Sequence, residues 1–93
     1  MSRKVKVSSR YKKDLKRIAN NPKLVSELTG VVATLSCDIP LDEKYRDHPL
    51  NNNWDGFRDC HIRPDVVLIY QKYEDVIKFL KLERVGSHSE LGL

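Results

Sequence analysis

The chain has 93 residues and a net charge of +4 at pH 7, and 32% of its residues are charged. A chain of this length supports a single hydrophobic core, so we predict one domain over residues 1–93. No apolar run approaches the ~18 residues that a membrane span needs, and no apolar signal segment follows the basic start. These features exclude a membrane protein, and we expect a cytoplasmic one with no membrane partner.

The N-terminal part of the chain predicts a strand followed by two helices. Residues 4–8 alternate between lysine and valine, as in a strand. Ser8 or Ser9 can cap a helix whose apolar residues recur with helical spacing. Residues 20–22, Asn-Asn-Pro, end this helix and begin a second amphipathic helix that ends near Cys37. Two helices joined this tightly form a hairpin that lies on a sheet.

The C-terminal part predicts an antiparallel sheet after a long loop over residues 38–56, which contains at most short strand pieces. Residues 57–62 alternate, residues 66–71 are nearly all apolar, as in a central strand, and residues 76–84 form a third strand. Short turns between them indicate a meander, and residues 87–90 fit a capping box. The fold class is α+β: an N-terminal strand, a helical hairpin, then an antiparallel β-meander.

One stretch, residues 47–70, concentrates the reactive side chains. Strand alternation places Asp59 and His61 on one face, and Asp65 follows across a turn. An imidazole beside a carboxylate can transfer a proton near neutral pH, so this grouping predicts an acid/base site. His48 in the loop and His88 near the C-terminus carry little information by themselves.

Three histidines and a carboxylate are also a ligand set that zinc accepts. The chain has no HxH or HExxH spacing, and acid/base chemistry without a metal needs the same residue types. We therefore rank metal binding second and predict no metal and no cofactor.

Three arginines are candidates for holding a phosphate, because a guanidinium donates two parallel hydrogen bonds to its oxygens. Arg84 is the best placed, although a salt bridge at the end of a strand explains it equally well. Arg58 and Arg63 are candidates for RNA contacts. Trp54 would stack on a base if it is exposed in the loop.

Positive charge is concentrated in the first helix and its flanks, where Asp14 alone opposes it. Such a cluster attracts polyanions, and the alternative is a solvated helix face. We predict RNA contacts from Lys12, Lys13, Lys16 and Arg17.

Several motifs, taken together, resemble the YafQ-type toxins of the RelE superfamily of bacterial toxin–antitoxin systems. They are DHPL at residues 47–50, WDGFRDCHI at 54–62, PD at 64–65 before an apolar run, and RVGSH at 84–88. The resemblance covers nearly the whole chain, including its length and its basic first helix.

The resemblance implies a RelE-like, microbial-ribonuclease-like fold and mRNA cleavage, usually in the A site of the 70S ribosome. It also implies neutralisation by an acidic, DinJ/RelB-like antitoxin, with operator DNA bound only through the antitoxin complex. The residues that the family uses fall on His48, Asp59, His61, Asp65 and His88, with Arg84 beside them. One departure is the tail, where Leu91 precedes Gly92 and Leu93 instead of the phenylalanine common in relatives, so stacking there is in doubt.

The mechanistic hypothesis is attack of the ribose 2′-OH on the adjacent phosphorus without a metal. His88 with Asp65 forms one half of the acid/base pair, and His48 with His61 forms the other half or gives electrostatic support. Asp59 orients an imidazole, and Arg84 holds the developing phosphoryl charge. The alternative is an inactivated family member that binds nucleic acid or a partner without cleaving it.

Overall fold

A computed structural model describes residues 2–93, so Met1 of the predicted domain lies outside the described residues. The chain forms a five-stranded mixed sheet in the order β1-β5-β4-β3-β2, with two helices packed on one face. The predicted α+β class is confirmed. The elements are β1 (Lys4–Val7), α1 (Ser9–Ile18), α2 (Pro22–Ser36), β2 (His48–Pro49), β3 (Arg58–Arg63), β4 (Val66–Glu74), β5 (Lys78–Gly86) and α3 (His88–Leu91).

The meander of β3, β4 and β5 is antiparallel, as predicted, and two further strands extend it. β1 pairs with β5 in parallel. The two-residue strand β2 pairs His48 with Asp59 in β3, inside the stretch predicted as loop. Short 3-10 helices at Glu43–Tyr45 and Asn52–Trp54 flank β2.

The predicted turn over residues 73–75 is wrong. Tyr73 and Glu74 continue β4 and pair with Phe79 and Lys78, so the turn falls at residues 75–77. The apolar pair at positions 76 and 77 suggested the start of a strand, but Val76 is fully exposed at the hairpin tip. Backbone pairing, and not the hydrophobic pattern, sets the register here.

Each face of the sheet carries its own apolar cluster. The larger one packs the helical hairpin against the sheet and includes Tyr11, Leu28, Leu35 and Leu68. The smaller one, on the opposite face, joins Val67 and Ile69 of β4 to Leu91 of α3, with Leu50, Trp54 and Phe57 around them. This second face has no long helix over it, and its open area carries the histidines. Within residues 2–93, no helix is long and apolar enough to cross a membrane.

The buried carboxylate of Asp14 attaches α1 to β5 beyond the end of β1. Its Oδ2 accepts hydrogen bonds from the backbone N–H of Val85 at 3.1 Å and from Nε of Arg84 at 2.8 Å, while Oδ1 accepts from Arg84 Nη2 at 3.1 Å and from Arg17. Burial alone would raise the pKa of Asp14, but these hydrogen bonds outweigh it and hold the pKa below its ordinary value. The carboxylate thus takes the place of a neighbouring strand at this edge.

We expect Asp14→Asn to lower the free energy of unfolding by about 3 kcal/mol, because it leaves the half-buried Arg84 guanidinium without its counter-charge. The lowered pKa means that the carboxylate stabilises the fold above the ordinary carboxyl pKa of about 4, and that this stability is lost as the pH falls through the folded-state pKa. The acid side of the stability profile should therefore be shallower in the variant. Urea unfolding between pH 2 and 7 measures both effects, with Asp75→Asn at the exposed hairpin turn as the control. A variant as stable and as acid-sensitive as the control would contradict this account.

Candidate active site

The three histidines meet on the open face of the sheet although they are far apart in sequence. The ring centroids of His61 and His88 are 5.1 Å apart in an edge-to-face arrangement, and those of His48 and His61 are 6.4 Å apart. His48 lies on β2, His61 on β3 and His88 at the start of α3. The structure therefore brings together the histidines that the sequence placed in a loop, in a strand and near the tail.

The pairing register of the strands explains why the three histidines lie close together. His48 pairs with Asp59, while His61 pairs with Val67, which in turn pairs with Gly86 at the end of β5. The next residue, Ser87, caps α3, because its Oγ accepts from the N–H of Glu90 at 3.2 Å and its own N–H donates to Glu90 Oε1 at 2.8 Å. This predicted capping box turns the chain so that His88 follows directly beside His61.

His88 is oriented by Asp65. Its Nδ1 lies 3.0 Å from Asp65 Oδ1, and its backbone N–H donates to the same oxygen at 3.4 Å. Hydrogen bonds from the His88 side chain and backbone lower the pKa of the exposed Asp65 carboxyl. Because an ionised carboxylate only accepts hydrogen bonds, Nδ1 carries a proton and Nε2 remains the nitrogen that can exchange one.

Asp59 is the buried carboxylate of the cluster, with 3% of its surface exposed. Its Oδ1 lies 3.1 Å from Nδ1 of His48. That nitrogen instead donates to the backbone carbonyl of Arg46 at 2.6 Å, so Asp59 Oδ1 has no hydrogen-bond partner among residues 2–93. Burial raises the pKa of Asp59, although the neighbouring charges of His48, His61 and His88 act in the opposite direction. The predicted shared face of Asp59 and His61 is confirmed by the strand register.

A cleft of about 450 Å³ opens over this cluster. It is lined by the three histidines, Asp59, residues 51–54 and the tail residues Gly92 and Leu93. Trp54 is half-buried and packs edge-to-face on Phe57 with ring centroids 5.4 Å apart. The indole is therefore partly committed to the smaller apolar cluster and presents only part of its surface to the cleft.

The contacts of Arg84 match the alternative of a structural salt bridge. Arg84 shares a cross-strand row with Ile69 and Asp59 on the open face, but its Nε and Nη2 bind Asp14. Two of the three nitrogens with which Arg84 was predicted to hold a phosphate therefore already bind a carboxylate. The sequence could not show this pairing, because Asp14 is 70 positions away on the first helix.

The other two arginines also lie in ion pairs. Arg58 pairs across strands with Tyr70 on the face covered by the helices, and its Nε is 3.3 Å from Asp47 Oδ1. The sheet thus separates Arg58 from the histidines. Arg63 binds Glu27 of α2 at 2.7 Å. Neither predicted RNA contact is part of the histidine cluster.

The basic residues of α1 divide into two groups. Lys12, Lys13 and Lys16 are exposed on the helix surface. Arg17 instead bridges Asp14 to Glu90 of α3, with Nη1 2.6 Å from Glu90 Oε2. Arg17 therefore connects the first helix to the element that carries His88.

The backbone of Arg46 takes part in the site, and no pattern in the sequence indicates this. Arg46 adopts a left-handed conformation, with φ of 51°, at the end of a 3-10 helix, and its carbonyl fixes the Nδ1 proton of His48. A positive φ at a residue other than glycine is uncommon.

Within residues 2–93, no three His, Cys, Asp or Glu side chains are grouped so that they could hold a metal ion.

Comparison with known proteins places the chain among toxins. It matches the family described as bacterial toxin of type II toxin–antitoxin system, YafQ, over residues 3–92. It is 36% identical over 92 residues to the mRNA interferase toxin YafQ of Escherichia coli K12, covering 98% of this chain and 97% of that protein. The putative toxin YafQ of Haemophilus influenzae is 37% identical over 94 residues, covering 97% of this chain and 92% of that protein.

Solved structures are similar over the same length. The YafQ chain in the E. coli DinJ–YafQ toxin–antitoxin complex superposes with a TM-score of 0.84 at 36% identity, covering 98% of both chains. A metal-bound toxin from Helicobacter pylori superposes with a TM-score of 0.87 at 41% identity, covering 98% of this chain and 99% of that one. The similarity spans the sheet, the helical hairpin and the segments that carry the histidines.

The electrostatic coupling in the cluster can be measured directly. In His48→Gln we expect the pKa of Asp59 to rise further, because the variant lacks the positive charge of a protonated imidazole beside its carboxylate. The pKa of Asp65, which His88 holds below its ordinary value, should stay unchanged and serves as the control within the same protein. Carbon-detected NMR titration of the aspartate carboxyl groups reads both values. An unchanged Asp59 would show that the two groups do not interact.

Proposed function

The chain belongs to the YafQ family of toxins of type II toxin–antitoxin systems, and we propose that it is a ribosome-dependent mRNA endoribonuclease. The E. coli relative is named an mRNA interferase toxin. The observation that supports this activity most directly is the cluster of three imidazoles with one exposed and one buried carboxylate. RNA cleavage needs a proton acceptor and a proton donor on opposite sides of one phosphate, and imidazoles provide both near neutral pH.

In the proposed reaction, the ribose 2′-oxygen attacks the adjacent phosphorus as its P–O5′ bond breaks. One group takes the 2′-OH proton and another gives a proton to the leaving 5′-oxygen, which yields a 2′,3′-cyclic phosphate and a 5′-hydroxyl. His88 and His48 suit these two roles, because Asp65 and the Arg46 carbonyl hold their Nδ1 atoms and leave Nε2 for proton transfer. His61 lies between them, and its protonated form would stabilise the phosphoryl charge that develops.

We infer the partners of this chain from the positive charge on α1 and from its membership of the YafQ family. Exposed lysines on α1 suit ribosomal RNA, because they attract phosphates without reading sequence. Cleavage of mRNA in the A site of the 70S ribosome would inhibit translation in the cytoplasm. By analogy with the DinJ–YafQ complex of E. coli, an acidic antitoxin binds this chain and neutralises it, and operator DNA is bound only through that complex.

Alanine substitutions test the catalytic assignment. We expect His48→Ala, His61→Ala, Asp65→Ala and His88→Ala each to slow cleavage, by about 10²–10⁴-fold for a residue that transfers a proton. Primer extension on mRNA translated by purified ribosomes locates the cuts and gives their rate. Asp75→Ala at the hairpin turn is the control and should cleave like the wild type.

Three outcomes would change the proposal. Full activity in all four variants would move the active site elsewhere. Ribosome binding by the wild type without any cleavage would favour the alternative of a non-catalytic binding protein. Protein treated with a chelator and desalted should cleave at the untreated rate, and a loss restored by a divalent metal would establish the metal alternative.

Charge reversal on α1 tests ribosome binding separately from chemistry. We expect the triple variant of Lys12, Lys13 and Lys16 to glutamate to bind ribosomes more weakly. The slope of log K against log salt concentration should become shallower by about 0.7–0.9 for each phosphate that is no longer neutralised. The charge-matched control replaces the exposed Lys4, Lys23 and Lys78. Cosedimentation with ribosomes at several salt concentrations measures both. Equal binding by the two triple variants would show that the α1 lysines make no special contribution.

A further inference from the structure

A second, larger cleft of about 930 Å³ lies beside the histidines, and the mechanism above does not use it. It runs between α2, the 3-10 helix at Glu43–Tyr45 and the end of β3. His61 and His88 line this cleft as well as the smaller one. The two clefts therefore meet at the same two imidazoles.

Gly30 is the unexplained residue of this cleft. It lies in the middle of α2, where glycine costs up to ~1 kcal/mol relative to alanine. Close packing usually explains such a glycine, but among residues 2–93 a Cβ added at Gly30 would meet no atom within 4 Å beyond its chain neighbours and the backbone of its own helix. The absence of a side chain at Gly30 leaves this part of the cleft wall open, and no close contact accounts for the glycine.

The lining suits a nucleotide. The half-buried side chains of Leu41 and Tyr45 offer an apolar surface on which a base can rest, and the buried core residues Val31 and Ile62 complete the apolar lining. The charged residues of the lining are Lys44, Arg46 and Arg63, opposed by Glu27 and Asp42.

These charges leave an excess of positive charge at the cleft. Arg63 is neutralised by Glu27 at 2.7 Å. Asp42 caps the 3-10 helix by accepting from the backbone N–H of Lys44. Lys44 and Arg46 carry the remaining positive charge of the lining and could attract a phosphate, and Nζ of Lys44 lies 5.2 Å from the centroid of the Tyr45 ring.

A bound RNA strand continues on both sides of the phosphate that is cleaved. In-line displacement places the attacking 2′-oxygen and the leaving 5′-oxygen on opposite sides of the phosphorus, so the RNA strand must extend away from the histidines in two directions. We propose that the larger cleft is an RNA subsite that binds the nucleotide on one side of the cleaved bond, and that Gly30 sets its depth. This inference rests on the proposed endoribonuclease activity.

Filling the cleft tests the subsite. Gly30→Leu projects a side chain into open space, and Gly30→Ala is the matched control with the same gain in helix propensity. We expect cleavage of translated mRNA to fall at least about tenfold in Gly30→Leu and to stay within about twofold of the wild type in Gly30→Ala, since one displaced contact group is worth this much in a binding pocket. Urea unfolding should show both variants to be at least as stable as the wild type.

The same reactions separate the two proposals. One outcome would overturn the subsite and leave the endoribonuclease proposal standing. In it, the wild type cleaves, His88→Ala does not, and Gly30→Leu and Gly30→Ala cleave at equal rates and at the same positions. Absence of wild-type cleavage would overturn both.

A binding measurement on the wild type avoids any effect of substitution on folding. The probe is a short RNA with a 2′-O-methyl group at the position of attack, which blocks cleavage. We expect titration to shift the backbone amide signals of Gly30, Val31 and Ile62 together with His61. Shifts confined to Asn52, Trp54 and the tail would overturn the subsite.

Discussion

The carboxylate of Asp14 is the interaction on which the geometry of the site depends. It holds the backbone of Val85 and the guanidinium of Arg84 at the edge of β5, where β1 has already ended. Through Arg17 it also reaches Glu90, the residue that closes the capping box of α3. A buried ion pair contributes little net stability compared with apolar packing, but it is costly to break. In this protein the Asp14 ion pair fixes the position of the end of β5, and the segment that follows β5 carries His88.

The two carboxylates of the histidine cluster differ because their surroundings differ. Asp65 is exposed and hydrogen-bonded by His88, which lowers its pKa, whereas burial raises the pKa of Asp59. Opposite shifts in neighbouring titratable groups are a common feature of acid/base sites, although structural networks also produce them. Asp65 therefore suits a fixed orienting role toward His88. Asp59 has no such hydrogen bond within residues 2–93, and the neighbouring histidines influence its pKa through their charges.

Local patterns in the sequence were enough to predict the helices, the meander and the shared face of Asp59 and His61, because each depends on the spacing of neighbouring residues. Contacts between distant segments were not accessible in this way. Nothing in the spacing indicates that Arg84 binds Asp14 or that β1 pairs in parallel with β5, since both are set by packing of the whole chain. The turn after β4 was misplaced for a related reason, because an exposed apolar tip looks like the start of a strand.

The histidines and the cleft walls around them come from different parts of the fold, so in the proposed activity the residues that transfer protons are separate from those that would contact the RNA. His61 and His88 are fixed by the sheet and by the cap of α3, whereas the wall of the larger cleft comes from α2 and that of the smaller cleft from residues 51–54 and the tail. Leu93 lines the smaller cleft. A leucine offers apolar contact but no face for stacking, so a base on that side would be held less specifically. Selectivity for the RNA would then depend more on the α2 side, where Gly30 leaves room for a base.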